Sequence, residues 1–212
     1  TAAGIDKKVT ERTVFQAASL SKAVTAAGAL SLVDKGRLSL DRDVNCNLRG
    51  WQVPAAGPSK DVPRFSLRQL LSHTAGLSVE GYPGYVRARP LPTLLESLRG
   101  TGAANTPGVV QVRTSGDFAY SGGGYSVAQL HMEETSGLNF AELMTKLVLE
   151  RVGMKTSTFQ QPLGSPNLVG ASGHDARGIP LPGGAFVYPE LAAAGLWTTP
   201  SDYAQFLIAL QD

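Results

Sequence analysis

Ser19-Leu20-Ser21-Lys22, continued by Ala23-Val24-Thr25-Ala26-Ala27-Gly28-Ala29-Leu30-Ser31-Leu32-Val33-Asp34-Lys35 and closed by Gly36, is the stretch on which the fold turns. A spacing of three puts Ser19 and Lys22 on one helix face, one turn apart. From Ala23 to Val33 the residues are apolar or small nearly all round, the composition of a helix buried on most sides. Gly36 suits the left-handed conformation that ends a helix. A lysine carried inward on such a helix must be paired, hydrogen-bonded or neutral. A desolvated lysine can work as a base. A serine beside it, at the positive end of the helix dipole, is placed to lose its proton and attack. The plainer reading makes Ser19 or Ser21 an N-cap and lets Lys22 reach back to water.

Composition narrows the classes. With 212 residues the chain can bury a sizeable core in one or two domains. A net charge of +2 is too small to suggest nucleic acid or an anionic membrane surface. No run of apolar residues is long enough for a spanning helix. The one cysteine, Cys46, cannot form an internal disulfide, which leaves the redox compartment open. The chain begins at Thr1 with no signal peptide, as if trimmed at the front.

In chain order, Val9 to Phe15 predict a short strand or extended arm feeding the helix. Residues 45–64 predict an irregular loop, and Phe65 to Leu71 a short helix capped by Ser66. Ser72-His73-Thr74-Ala75-Gly76-Leu77 is a turn with Gly76 at positive φ. Residues 78–91 form a second loop, then Pro92 opens a helix stopped at Gly100. Val109 to Val112 predict a strand. Tyr120-Ser121-Gly122-Gly123-Gly124-Tyr125 is a glycine-rich turn opening a helix to Ser136, closed by Gly137. Asn139 with Glu142 starts a helix to about Arg151. Residues 160–190 predict a long loop of functional or lid-like kind. Thr199-Pro200-Ser201-Asp202 opens the last helix, with Tyr203, Phe206, Leu207 and Leu210 as its apolar stripe.

Tyr120 is the second chemical element. A phenol beside a lysine ammonium can have its pKa lowered and shuttle a proton. Most tyrosines near turns are packing residues, so Tyr120 gains weight only from its company.

That company is recognisable. Ser19-Leu20-Ser21-Lys22, Leu70-Leu71-Ser72-His73-Thr74-Ala75-Gly76-Leu77, Tyr120-Ser121-Gly122 and Ala193-Ala194-Gly195-Leu196-Trp197-Thr198-Thr199-Pro200-Ser201-Asp202 occur in this order. The chain resembles the serine β-lactamase and penicillin-binding-protein superfamily, most of all its class C-related branch of esterases, D-Ala-D-Ala carboxypeptidases and D-amino-acid peptidases. The resemblance implies an α+β, β-lactamase/transpeptidase-like fold, with this chain mostly its helical part and a truncated sheet. On that reading 1–212 is a single incomplete domain. Residues 1–36 carry a strand remnant and the nucleophile helix, 37–190 the helical region and loops, and 191–212 a return helix. The implied chemistry is an acyl-enzyme, with Ser19 as nucleophile, Lys22 as its base, Tyr120 protonating the leaving group and activating water, and the Ser19 N–H as one oxyanion donor. The implied substrate is a small ester, amide or β-lactam, without cofactor or metal, nucleic acid or membrane span. Oligomeric state stays open. The His73 stretch is structural in such proteins.

Two departures follow. The tyrosine motif usually ends in Asn, where this chain has Gly122, a substrate-contacting position. Loss of that amide tilts the expectation towards esters. The third motif, Lys-Thr-Gly or His-x-Gly on a strand, is absent from the sequence and is expected beyond Asp212, with most of the sheet, so poor activity is expected of this chain alone. Lys155-Thr156-Ser157 lacks the glycine and follows a helix. Two rivals stand beside this reading. One is an α/β-hydrolase elbow with Ser121 as nucleophile and His131 or His174 as base. The other is a penicillin-recognition fold that binds or acylates without turnover. A zinc site is not suggested, because the three histidines are far apart in sequence.

Overall fold

A computed structural model describes residues 8–58, 61–164 and 168–211. The parts of the two predicted loops at 59–60 and 165–167 lie outside the described residues, as do 1–7 and Asp212. The elements are β1 (Thr13–Gln16), α1 (Ser21–Asp34), α2 (Leu67–Leu71), β2 (Tyr85–Val86), α3 (Leu94–Arg99), α4 (Gly122–Ser136), α5 (Phe140–Met144), β3 (Val169–Gly170), β4 (Phe186–Val187), α6 (Leu191–Ala194), β5 (Trp197–Thr198) and α7 (Pro200–Ala209).

Local signals set the helix ends. Ser66 and Thr93 cap α2 and α3 with full capping boxes, through Gln69 and Glu96. Asn139 and Thr199 accept from the N3 amides of α5 and α7. Pro92 therefore stands before the cap and not at the first helical position. Lys35 ends α1 with Gly36 at φ 65°, and Gly137 ends α4 at φ 73°.

Long-range pairing departs from expectation. The arm at Val9 turns at residues 11–12 before β1 begins. The first half of β1 pairs parallel with β3 (Thr13 with Val169), and its second half antiparallel with β5 (Phe15 with Thr198). The predicted 78–91 and 160–190 loops contain β2, β3 and β4, with β2 antiparallel to β4. These strands are two residues long, too short to show a period of two. The predicted strand at Val109 to Val112 is no strand: only Gln111 bridges, to Ala55 and Leu77. After α5 the helix widens into a π turn over Thr145–Leu149.

The core gathers α1, α4, α5 and α6 around Val24, Leu32, Val127, Met132, Phe140, Met144, Phe159 and Leu196. Phe140 and Phe159 meet edge to face at 5.3 Å. Two helices keep apolar residues exposed. In α1, from Ala23 to Val33, only Ala23 and Leu30 are exposed, on one narrow outer face of a helix otherwise buried or half-buried. In α7 Phe206 is buried, but Leu207 and Leu210 are exposed, and Leu207 lines a groove of about 410 Å3 with Phe15, Leu20 and Tyr203.

Candidate active site

Ser19 sits on a single 3-10 turn, Ala18–Leu20, between β1 and α1. The chain enters that turn through Ala18 at φ 45°, a conformation costly for any residue with a Cβ. The strain is held from both sides. Ser21 Oγ donates to the Ala18 carbonyl (2.6 Å) and accepts from the Leu196 N–H (3.0 Å), and Ala17 N–H donates to the Leu196 carbonyl (2.9 Å). Ser21 is fully buried and tied at both ends of its hydroxyl, while Ser19 is exposed. Neither serine caps α1.

Lys22 does not reach water: only 7% of it is exposed. Its Nζ donates to Ser19 Oγ at 3.0 Å and to the Ala193 carbonyl at 2.8 Å. The ring centroids of Tyr120 and Tyr125 lie 5.1 and 5.8 Å from it, within cation–π range. The Ala193 carbonyl is held in turn by its helix. Gln129, buried on α4, accepts from Ala192 N–H (3.0 Å) and donates to the Pro189 carbonyl (3.3 Å), and Thr25 Oγ1 donates to the Ala192 carbonyl (3.1 Å).

Tyr120 closes the triangle. Burial pushes its phenol up, but hydrogen bonding to Ser19 and Lys22 and the Lys22 charge outweigh it, against a small opposing push from Glu80. The net result is a phenol below its ordinary value. Its ring stacks on His73 with centroids 4.3 Å apart, and His73 Nδ1 accepts from the Ser121 N–H at 3.0 Å. Burial, followed by the Lys22 charge, holds the imidazole below the usual histidine value. Tyr125 behind it is pushed up to about 12, mainly by burial.

Gly122 and Gly123 allow a neighbouring segment to lie across the start of α4. Gly122 N–H donates to the Glu80 carbonyl and Gly123 N–H to the Val79 carbonyl, both at 2.9 Å, while Ser121 Oγ donates to the Ser78 carbonyl at 2.8 Å. A Cβ on Gly123 would stand 2.6 Å from the Ser78 oxygen, and one on Gly122 3.1 Å from the Glu80 oxygen. Gly122 is thus buried beneath residues 80–82, with its N–H engaged. Val79, a β-branched residue, is held at φ 63°. Ala18, Val79 and His73 (φ 59°) are the non-glycine residues at positive φ among those described, and all three border this constellation. Strain of about 1–3 kcal/mol each collects at functional sites.

Ser19, Lys22 and Tyr120 therefore meet, with Gly122 packed behind them. Sequence reasoning missed the Ala193 carbonyl, Gln129 and the 78–80 carbonyls. Gln129, a polar residue inside an otherwise apolar run of α4, was the one visible signal. Ser121 is not a free nucleophile: its Oγ also accepts from the Gly124 N–H at 2.9 Å, and it caps α4. His131 lines a cleft at the other end of α1, with Gly36 and Arg37. The Lys155-Thr156-Ser157 stretch is structural. Thr156 N–H, Thr156 Oγ1 and Ser157 Oγ all donate to Asp202 at 2.7–2.8 Å. No cluster of three or more His, Cys, Asp or Glu able to hold a metal exists among the described residues, and no helix there is long and apolar enough to cross a membrane.

A family model described as Beta-lactamase matches residues 2–212. Protein flp of Staphylococcus aureus strain N315 is 26% identical over 211 residues, covering 94% of this chain and 38% of its own length. Of solved structures, the D-amino acid amidase from Ochrobactrum anthropi SV3 complexed with L-phenylalanine amide gives a TM-score of 0.74 at 21% identity, over 98% of this chain and 58% of its own. EstCE1, a hydrolase with promiscuous acyltransferase activity, gives 0.73 at 21% identity, over 97% and 60%. At that identity the likeness is one of fold. The chain thus spans less than two thirds of these relatives.

Proposed function

The chain belongs to the β-lactamase family, and from that premise we propose that it is the nucleophile-bearing part of a serine hydrolase that cleaves an ester or amide through a Ser19 acyl-enzyme. The observation that carries this is the 3.0 Å contact from the buried Lys22 amine to the exposed Ser19 hydroxyl. The unprotonated amine accepts the hydroxyl proton as Ser19 Oγ bonds to the acyl carbon. The proton passes through Tyr120 to the leaving group. Water then attacks the ester of Ser19, the phenol and amine taking its proton and returning it to Ser19 Oγ as the acyl–Oγ bond breaks and the acid leaves. The Ser19 N–H, at the start of the helix, faces the developing oxyanion.

Esters are favoured over amides. Gly122 offers no side-chain amide to a substrate N–H, and residues 80–82 fill the adjacent space. Amide cleavage, which the name of the O. anthropi neighbour records for that protein, is the second substrate class. The same missing amide supports the second reading, a fold that acylates without turning over.

The test is hydrolysis of p-nitrophenyl acetate and of the matching p-nitroanilide. Wild-type protein should release p-nitrophenol with Ser19→Ala reduced by at least about a thousandfold, and the anilide should be slower. A burst of one equivalent without steady turnover favours the non-catalytic reading. Equal rates in wild type and Ser19→Ala overturn both.

A further inference from the structure

The Ser72-His73-Thr74-Ala75-Gly76-Leu77 turn takes no part in the chemistry proposed above. We propose that His73 is a positioning residue for Tyr120, gripping it as a neutral imidazole and releasing it on protonation. This rests on the reading of Tyr120 as the proton shuttle.

The grip has three points, all on consecutive residues. The His73 carbonyl accepts from the Ala119 N–H at 2.7 Å, the residue before the tyrosine. Its Nδ1 accepts from the Ser121 N–H at 3.0 Å, the residue after it. Its ring lies against the Tyr120 ring at 4.3 Å and 29°. Backbone and side chain of one residue thus bracket the phenol on both sides and support its face. The left-handed backbone of His73 (φ 59°) is what lets carbonyl and ring converge on the same short segment.

The Ser121 contact requires one protonation state. An N–H aimed at Nδ1 needs a lone pair there, so the ring is neutral with its proton on Nε2. A second proton turns Nδ1 into a donor facing a donor, and places a cation beside the Lys22 amine. The groups around the ring leave little to compensate. Lys22 acts on it from α1, Tyr125 lies 5.2 Å away on α4, and Phe118 meets its edge at 5.9 Å. Glu80, from the 78–80 segment, acts on the phenol of Tyr120.

The test combines amide NMR with three variants. In wild-type protein the Ser121 amide and the Tyr120 ring resonances should shift together as His73 titrates, and ester hydrolysis should fall over the same range. His73→Asn keeps an acceptor, tolerates the left-handed backbone and does not titrate. It should abolish the Ser121 step and retain a larger share of its neutral-pH rate at pH 5 than wild type does. His73→Phe keeps the stack without the acceptor, and should lose about tenfold in rate at neutral pH, one hydrogen bond's worth. His73→Ala should lose more. A Ser121 amide that stays still while His73 titrates overturns the proposal. So does a wild-type acid limb in His73→Asn, or variants that lower thermal stability without changing the pH profile. The amide titration needs no turnover, so it reports on the grip even if Ser19→Ala proves as active as wild type. That separate result would remove the role of Tyr120 and leave the contact standing.

Discussion

Lys22 is held by two acceptors of different kinds, a hydroxyl that can react and a carbonyl that cannot. The Ala193 bond fixes where the amine sits, and the Ser19 bond fixes what it can do. Replacing Lys22 by Met keeps most of the stem volume but leaves the buried Ala193 carbonyl without its donor, so stability should fall by about 1–3 kcal/mol. The rate of Ser19 acylation should fall by about a hundredfold to ten-thousandfold, the worth of a positioned base. Melting curves and ester hydrolysis measured side by side check both halves. Tyr120→Phe should behave likewise, since the ring face against His73 remains. Histidine titration adds a pH dependence of stability. His73 and His131 are both held below the ordinary value, burial being the first cause in each. The folded state therefore binds fewer protons than the unfolded one below about pH 6.5. The stability these groups contribute is complete above that pH and is lost as pH falls through their folded values. Buried Glu133 and Glu190, held above the ordinary carboxylate value, act in the opposite sense, so the His73 share is read by difference: between about pH 7.5 and 5 the melting temperature of wild type should change less favourably than that of His73→Asn.

At the scale of elements, the site depends on how two segments close over helix starts. The 78–80 carbonyls cover the first turn of α4, and Gly123→Ala would drive a Cβ into the Ser78 oxygen. That substitution should cost about 1–3 kcal/mol and slow ester hydrolysis by displacing Tyr120, a combination that calorimetry and kinetics resolve. Ser21→Ala should cost a similar amount, because it strands the buried Leu196 N–H and frees the strained Ala18 turn. The two serines of the motif thus divide the work, one structural and one exposed, a division the four-residue pattern did not reveal. The helix boundaries were legible because caps and C-terminal glycines act within a few residues: Ser66, Asn139, Thr199 with Pro200, Gly36 and Gly137. Of the strands, only β1 was legible in part, as the end of the expected Val9–Phe15 strand. Two-residue strands such as Val169–Gly170 carry no periodicity, and their partners lie far along the chain. The partner of Lys22 was hidden for the same reason, since the Ala193 carbonyl is 171 residues away and a backbone oxygen has no sequence signature.

For the whole molecule, the order of the four motifs gave the β-lactamase/transpeptidase-like α+β fold, because the motifs sit on α1, α2, α4 and the α6–α7 corner that together wall the site. The core that joins these elements runs through Phe140 and Phe159, both fully buried. Phe140→Ala should cost about 3–5 kcal/mol and lower stability without changing which residue is acylated, as chemical denaturation and labelling would register.

The central claim concerns a single oxygen, and covalent capture reads it directly. Wild-type protein incubated with a fluorophosphonate should gain one phosphonyl group, located by peptide mass on Ser19, with Ser19→Ala unlabelled and Lys22→Met labelled at least about a hundredfold more slowly. Label on Ser121 or Ser21, or equal labelling of Ser19→Ala, would contradict the assignment.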